Sequence, residues 1–200
     1  MSFGTSSGGM VPTVGFPFPA VASGSFTVVK TGVYEAHLQG GGSGGYFSTY
    51  PGSGGAMIMG SKLLLAGQVV NYLVGAAGLG NTLNPGGTTV FDQFAAAGGT
   101  NRDGGVPSDI SGTVQASNIG YSGGSGRNSS TNPQTPRLAG EVIDPTKTIA
   151  SPDGGSSVYG KPGNALGASA TGYGAGGAIG DAVTPGGNGS QGCIYLFGPL

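Results

Sequence analysis

The chain reads as an all-β protein, an antiparallel β-sandwich or jelly-roll-like domain with long glycine-rich loops. Three observations carry that reading. Apolar residues recur at every second position in short runs, which is the period of a strand with one buried face. Glycine supplies 46 of the 200 residues and is bunched into pairs and runs that separate those segments. No stretch shows the apolar period of a convincing helix.

The first segment, residues 1–24, is an extended N-terminal arm. Pro12 and the sequence Phe16-Pro17-Phe18-Pro19 fix φ at alternate positions and favour a polyproline-like path. Two readings of Phe16, Pro17, Phe18 and Pro19 stand side by side: an attachment device that docks on a neighbouring subunit, or a strap across the chain's own core.

Residues 25–200 form the glycine-rich β-domain. Phe26-Thr27-Val28-Val29 opens it. In Val33–Gln39, residues Tyr34, Ala36 and Leu38 fall on one face and Glu35, His37 and Gln39 on the other, as in a half-buried strand, until the glycine run Gly40–Gly45 ends it. Ala56–Leu65 and Val69–Val74, joined by Leu65-Ala66-Gly67-Gln68, are expected to pair as a β-hairpin. Thr88–Phe91 and Phe94–Ala97 make a shorter pair around Asp92-Gln93, and Cys193–Phe197 closes the set. The zones Gly98–Ala139 and Ser151–Gly192 carry little strand signal. They are surface loops or, as Gly172–Gly180 suggests, polyglycine-II-like helices that lie close together because no side chain holds them apart.

Composition excludes several classes of function. Charged residues are 8% of the chain, against about 25% in ordinary globular proteins. The net charge of −1 disfavours solubility as a free monomer and points to a larger assembly. The seven Lys and Arg are scattered singly, so no basic patch is present for nucleic acid. The N-terminus lacks the basic and apolar regions of a signal peptide, and no apolar stretch approaches the ~20 residues of a membrane span. Synthesis in a cytoplasm, without membrane insertion, is the expectation. The lone Cys193 sits in an apolar run and reads as core filling.

The tempting motifs lack their required contexts. Gly40–Gly45 fits the spacing of a dinucleotide loop, but no helix follows and no acid lies between Glu35 and Asp92. Gly155–Lys161 resembles a phosphate loop until Pro162 stands where a Ser or Thr is needed. Ser43 and Ser122 sit in nucleophile-elbow spacing with no helix after them. His37 is the only histidine, and one His with one Cys cannot build a His/Cys metal site. The eight carboxylates are dispersed, several in turn-forming pairs such as Asp103-Gly104 and Asp153-Gly154. No catalytic residue, cofactor or metal is expected.

Four blocks occur in a recognisable order. They are Phe26–Leu38 running into Gly40–Gly45; Leu63–Gly78 with its Ala66-Gly67-Gln68 turn; Gly86–Phe91 followed by Ala95–Gly99; and Pro185–Phe197. This order resembles the glycine-rich domain of bacteriophage tail fibres and related virion appendages, over about residues 25–200 with 100–150 poorly matched. The resemblance implies a non-enzymatic virion protein, often trimeric, at the distal part of a fibre, touching a host-surface glycan or outer-membrane protein. A capsid decoration, head-fibre or connector protein held to other virion proteins by its arm is the alternative. A glycan hydrolase is a third. Recognition loops sit on rigid scaffolds, and aromatic or Arg side chains among small residues suit them. The candidates are Tyr46, Phe47 and Tyr50 between two glycine clusters, and Arg102, Tyr121 and Arg127 in the first long zone.

Overall fold

The computed structural model describes residues 11–46, 51–82, 84–100 and 154–200, together with two short strands at 107–109 and 119–121. These residues contain no helix and are built from antiparallel strands. In chain order the strands are β1 (Gly24–Thr27), β2 (Gly32–Gln39), β3 (Met57–Leu64), β4 (Val69–Leu73), β5 (Thr89–Phe91), β6 (Phe94–Ala96), β7 (Pro107–Asp109), β8 (Ile119–Tyr121), β9 (Gly160–Lys161), β10 (Thr171–Gly172) and β11 (Cys193–Phe197). One sheet has the order β1-β4-β5-β6-β7 and the other β11-β2-β3-β8, while β9 and β10 form a separate ribbon.

The two larger sheets face each other across one core. Tyr34, Ala36 and Leu38 of β2 meet Phe26, Val70, Phe91 and Phe94 of the other sheet, with Ile194 and Leu196 of β11 alongside. The expected alternation along β2 therefore places its apolar face inward. Its other face is covered as well: His37 and Gln39 are buried, so β2 is not the half-buried strand that alternation alone suggests. At the edge of the core, Lys62 of β3 forms an ion pair with Asp92 of the β5–β6 turn and so ties one sheet to the other.

The expected β3–β4 hairpin does not form. β3 already has both edges taken, by β2 over eight residues and by β8. Its continuation turns at Leu65–Gln68 and crosses to the opposite sheet, where β4 pairs with β1. Gly67, at φ +83°, makes that corner, and its amide donates to the Val28 carbonyl at 2.8 Å. The shorter β5–β6 pair forms as expected, with Asp92 at φ 53° in the turn.

Residues 11–23 run along β11. The Thr13 amide donates to the Leu196 carbonyl at 3.0 Å, and Ala20 and Ile194 exchange hydrogen bonds of 2.8 and 3.0 Å. Phe16 enters the core, with ring centroids 5.5 Å from Phe26, 5.1 Å from Tyr72 and 5.9 Å from Phe91. Of the two readings of the arm, the strap accounts for Phe16. Phe18 remains 45% exposed and packs edge-on against Tyr195 and Phe197.

Beyond the strand ends near Gln39, Met57, Leu73, Thr89 and Cys193, the chain continues as a bundle of extended glycine segments. Its hydrogen bonds repeat every third residue. Gly40 and Ser43 donate to Ala56 and Ser53, while Gly42 and Gly45 donate to Ser190 and Gly187. Gly78 and Asn81 donate to Gly42 and Gly45, and Gly52 and Gly55 donate to Gly177 and Gly174. A three-residue period is that of a polyproline-II-type helix, in which successive backbone groups point in three directions. Gly40–Gly45, wholly buried, bonds to six other stretches: 51–56, 75–81, 86–87, 97–99, 174–178 and 187–190. The second long zone thus has a regularity of its own, made from backbone.

Glycine is required here by contact distance. A methyl group at Gly42 would lie 2.0 Å from the Ala175 carbonyl oxygen, and one at Gly44 2.2 Å from that of Leu79. Polar side chains knit the bundle to the sandwich. The buried Gln39 amide donates to the Gly55 and Ala56 carbonyls at 2.8 and 3.0 Å, and Thr89 Oγ1 donates to Gln39 and accepts from Gly75.

Candidate recognition surface

The glycine segments leave the sandwich and return to it in antiparallel pairs, so their reversals gather at the far end of the bundle. Residues 40–46 run out and 51–56 run back into β3; 75–80 run out and 85–88 run back into β5; 174–180 run out and 185–192 run back into β11. A further reversal, 164–168, bonds beside the last pair through Gly167 to Ile179. Among the described residues, the turns at 79–82, 164–168 and 181–184 form a tip about six residues beyond the strand ends, roughly 18 Å at ~3.1 Å per residue.

Side-chain oxygens on backbone amides fix the 79–82 and 181–184 turns, while 164–168 is held by backbone bonds. Asp181 Oδ1 accepts from Val183 and Thr184 at 2.9 and 2.6 Å. Those two amides hold the Asp181 carboxyl below its ordinary range. Asn81, in the left-handed conformation at φ 57°, accepts from Gly186 through Oδ1 at 2.8 Å, and Asn188 Oδ1 accepts from Gly80 at 2.7 Å. The turns are therefore tied to one another as well as to the bundle below.

What they present is mostly apolar. Val183 is 90% exposed, and Leu79 and Leu166 also face solvent. Asp181 is the one charged residue among the described residues of these turns, and its Oδ1 is engaged by backbone. Tyr46 is half-buried at the top of the central segment, where the Gly45 carbonyl accepts the Asn81 amide.

The candidates from sequence divide three ways. Tyr46 lies at the tip, beside the 79–82 turn. Tyr121 lies instead on β8, opposite Met57, where the sandwich meets the bundle. Phe47, Tyr50, Arg102 and Arg127 lie outside the described residues. Leu79, Leu166 and Val183 were missed, although a signal was present. Asn81-x-x-Asn84-Pro85-Gly86-Gly87 and Asp181-x-x-Thr184-Pro185-Gly186-Gly187 repeat one sequence pattern, and Pro51-Gly52 shares its Pro-Gly step. Proline presets the φ of the returning helix, and glycine then allows it to pack.

A second group of interacting side chains lies on the outer face of the β11-β2-β3-β8 sheet. His37 Nε2 donates to Glu35 Oε1 at 2.6 Å, and His37 Nδ1 shares a hydrogen bond of 3.0 Å with the Tyr159 hydroxyl. Tyr195 packs on Tyr159 and Phe197 on His37, each with centroids 5.0 Å apart. Desolvation pushes the Tyr159 hydroxyl up to about 12, and burial pushes the Cys193 thiol up to about 12. With both held in their neutral forms, neither the Tyr159 hydroxyl nor the Cys193 thiol is poised as a nucleophile. The group clamps β2, β11, the strap and residues 157–161 together. Among the described residues, no cluster of three His, Cys, Asp or Glu could hold a metal ion.

The chain matches no known protein-family model and no curated protein sequence.

Proposed function

We propose that this is a non-enzymatic virion appendage protein that recognises a host surface through the tip of its glycine bundle. The observation that carries the reading is the gathering of several chain reversals at one end of a hydrogen-bonded, side-chain-poor bundle. Such a bundle resists bending, because every segment is bonded to its neighbours, and its glycines contribute no side chains for recognition. Specific contact is left to the turns. Their exposed aliphatic residues, Leu79, Leu166 and Val183, suit a protein receptor better than a glycan. Resemblance to phage tail-fibre glycine-rich domains supports placing the chain on a virion.

The test is binding of the purified chain to host bacterial cells, with infection measured in competition. Val183→Asp combined with Leu79→Asp should lower binding at least tenfold with an unchanged melting temperature. If the wild-type chain neither binds cells nor slows infection, the recognition reading fails. A chain that binds particles but not cells would favour the decoration or connector reading.

A further inference from the structure

The exposed aliphatic residues of the tip lie on separate reversals: Leu79 in 79–82, Leu166 in 164–168 and Val183 in 181–184. Asn188, on the segment returning from the last of these, bonds towards both of the others. Its Oδ1 accepts from the Gly80 amide at 2.7 Å, inside the 79–82 turn. Its own amide donates to Ser169 Oγ at 3.0 Å, and its carbonyl accepts from the Ala170 amide at 2.8 Å, directly after the 164–168 turn. The link to 79–82 is reciprocal, because Asn81 Oδ1 accepts from the Gly186 amide at 2.8 Å. The other two reversals touch each other: a Cβ on Gly167 would lie 2.6 Å from Thr184 Cγ2 and 2.7 Å from the Pro185 carbonyl oxygen.

We infer that Asn188 is a positioning residue whose side chain docks the 79–82 turn on the other two, so that Leu79, Leu166 and Val183 present one preformed surface. The docking stands on these bonds, while its effect on binding rests on the recognition reading proposed above. A surface assembled from separate loops gains affinity when the loops are ordered beforehand, since ordering them on contact costs conformational entropy. Loss of the Asn188 oxygen loosens the 79–82 turn and leaves the bundle beneath it intact. There Gly78 still donates to Gly42, Gly187 to Ala178 and Gly189 to Gly78.

Two variants separate positioning from direct contact. Asn188→Ala removes the acceptor, whereas Asn188→Asp keeps an Oδ acceptor and removes the Nδ2 donor. In the purified chain, Asn188→Ala should speed hydrogen exchange of the Gly80 amide at least tenfold, with that of Gly42 unchanged. Asn188→Asp should leave both as in the wild type. Binding to host bacterial cells should weaken at least fivefold in Asn188→Ala and stay within twofold in Asn188→Asp, at equal melting temperatures. Unchanged Gly80 exchange in Asn188→Ala overturns the inference, and so does faster exchange with undiminished binding. If Asn188→Asp binds as poorly as Asn188→Ala while its Gly80 exchange is normal, Asn188 touches the receptor itself, which also overturns positioning. A wild-type chain that binds no cells fails the recognition reading instead, and Gly80 exchange alone then decides whether the turns are docked.

Discussion

The position a Cβ would take on Gly45 is 1.8 Å from the carbonyl oxygen of Ala178. Nothing larger than hydrogen fits, and the obstacle is backbone, which cannot rotate aside. Gly42 stands in the same relation to Ala175, three residues earlier on both segments, at 2.0 Å. Gly42→Ala and Gly45→Ala should each destabilise the protein by about 1–3 kcal/mol or more, as overpacking does. In a chain of this size each kcal/mol lowers the melting temperature by about 2–4 °C. Gly15→Ala serves as the comparison: its Cβ would meet nothing within 4 Å, leaving only the strain of φ +80°. A bundle mutant that melts like the wild type would contradict the packing described.

The strap predicts a contrast between two neighbouring aromatics. Phe16 is buried among Phe26, Tyr72 and Phe91, so Phe16→Ala should cost about 3–5 kcal/mol. Phe18 is 45% exposed and packs edge-on against Tyr195 and Phe197, and Phe18→Ala should cost about 1 kcal/mol, the scale of an aromatic pair. Denaturant unfolding of the two variants measures the difference. Equal costs would mean that the arm is not anchored through Phe16.

How much of this was legible in the sequence depends on whether side chains or backbone did the work. Tyr34, Ala36 and Leu38 alternate because a core selects them, and the strand they form is where alternation puts it. Asp92 marks its turn for the same local reason. The β3–β4 corner was misread because Ala66-Gly67-Gln68 suits a hairpin equally well, and only the occupation of both β3 edges decides the matter. The neighbours of Gly40–Gly45 could not be read at all, since bonds between amides and carbonyls leave no residue-specific trace. Leu63, Leu65 and Val29 look like core residues by type, and only the fold leaves them exposed. The tip was half legible: Tyr46 by its place between glycine runs, Val183 only through the repeated Pro-Gly-Gly re-entry.

Alkaline pH should loosen the clamp on the outer sheet face. The Cys193 thiol and Tyr159 hydroxyl both titrate near 12 in the folded chain, above their ordinary 9.0 and 10.0. Folding therefore favours their neutral forms. Their contribution is intact below pH 9 and is lost as pH rises from 9 towards 12. Unfolding by denaturant across that window should show falling stability, and Cys193 should resist thiol reagents at pH 8 until the chain unfolds. Rapid modification of native protein at pH 8 would contradict the burial of that thiol. Tyr159→Phe should flatten the upper part of the decline and cost about 1 kcal/mol at neutral pH through the lost bond to His37.

At acid pH the sensitive element is the tip. Asp181 titrates below its ordinary 3.8 because its carboxylate accepts the Thr184 and Val183 amides. Its hold on the turn is complete above that value and is lost as pH falls through the lower folded one. The Val183 and Thr184 amide resonances should report this directly, moving with a shared midpoint below 3.8 while those of buried Gly42 and Gly45 stay fixed. Asp181→Ala should shift the same two resonances at neutral pH and loosen the presentation of Val183, lowering cell binding with the melting temperature nearly unchanged. A midpoint at or above 3.8, or movement of the bundle glycines along with the turn, would show that Asp181 does not hold this reversal independently of the scaffold beneath it.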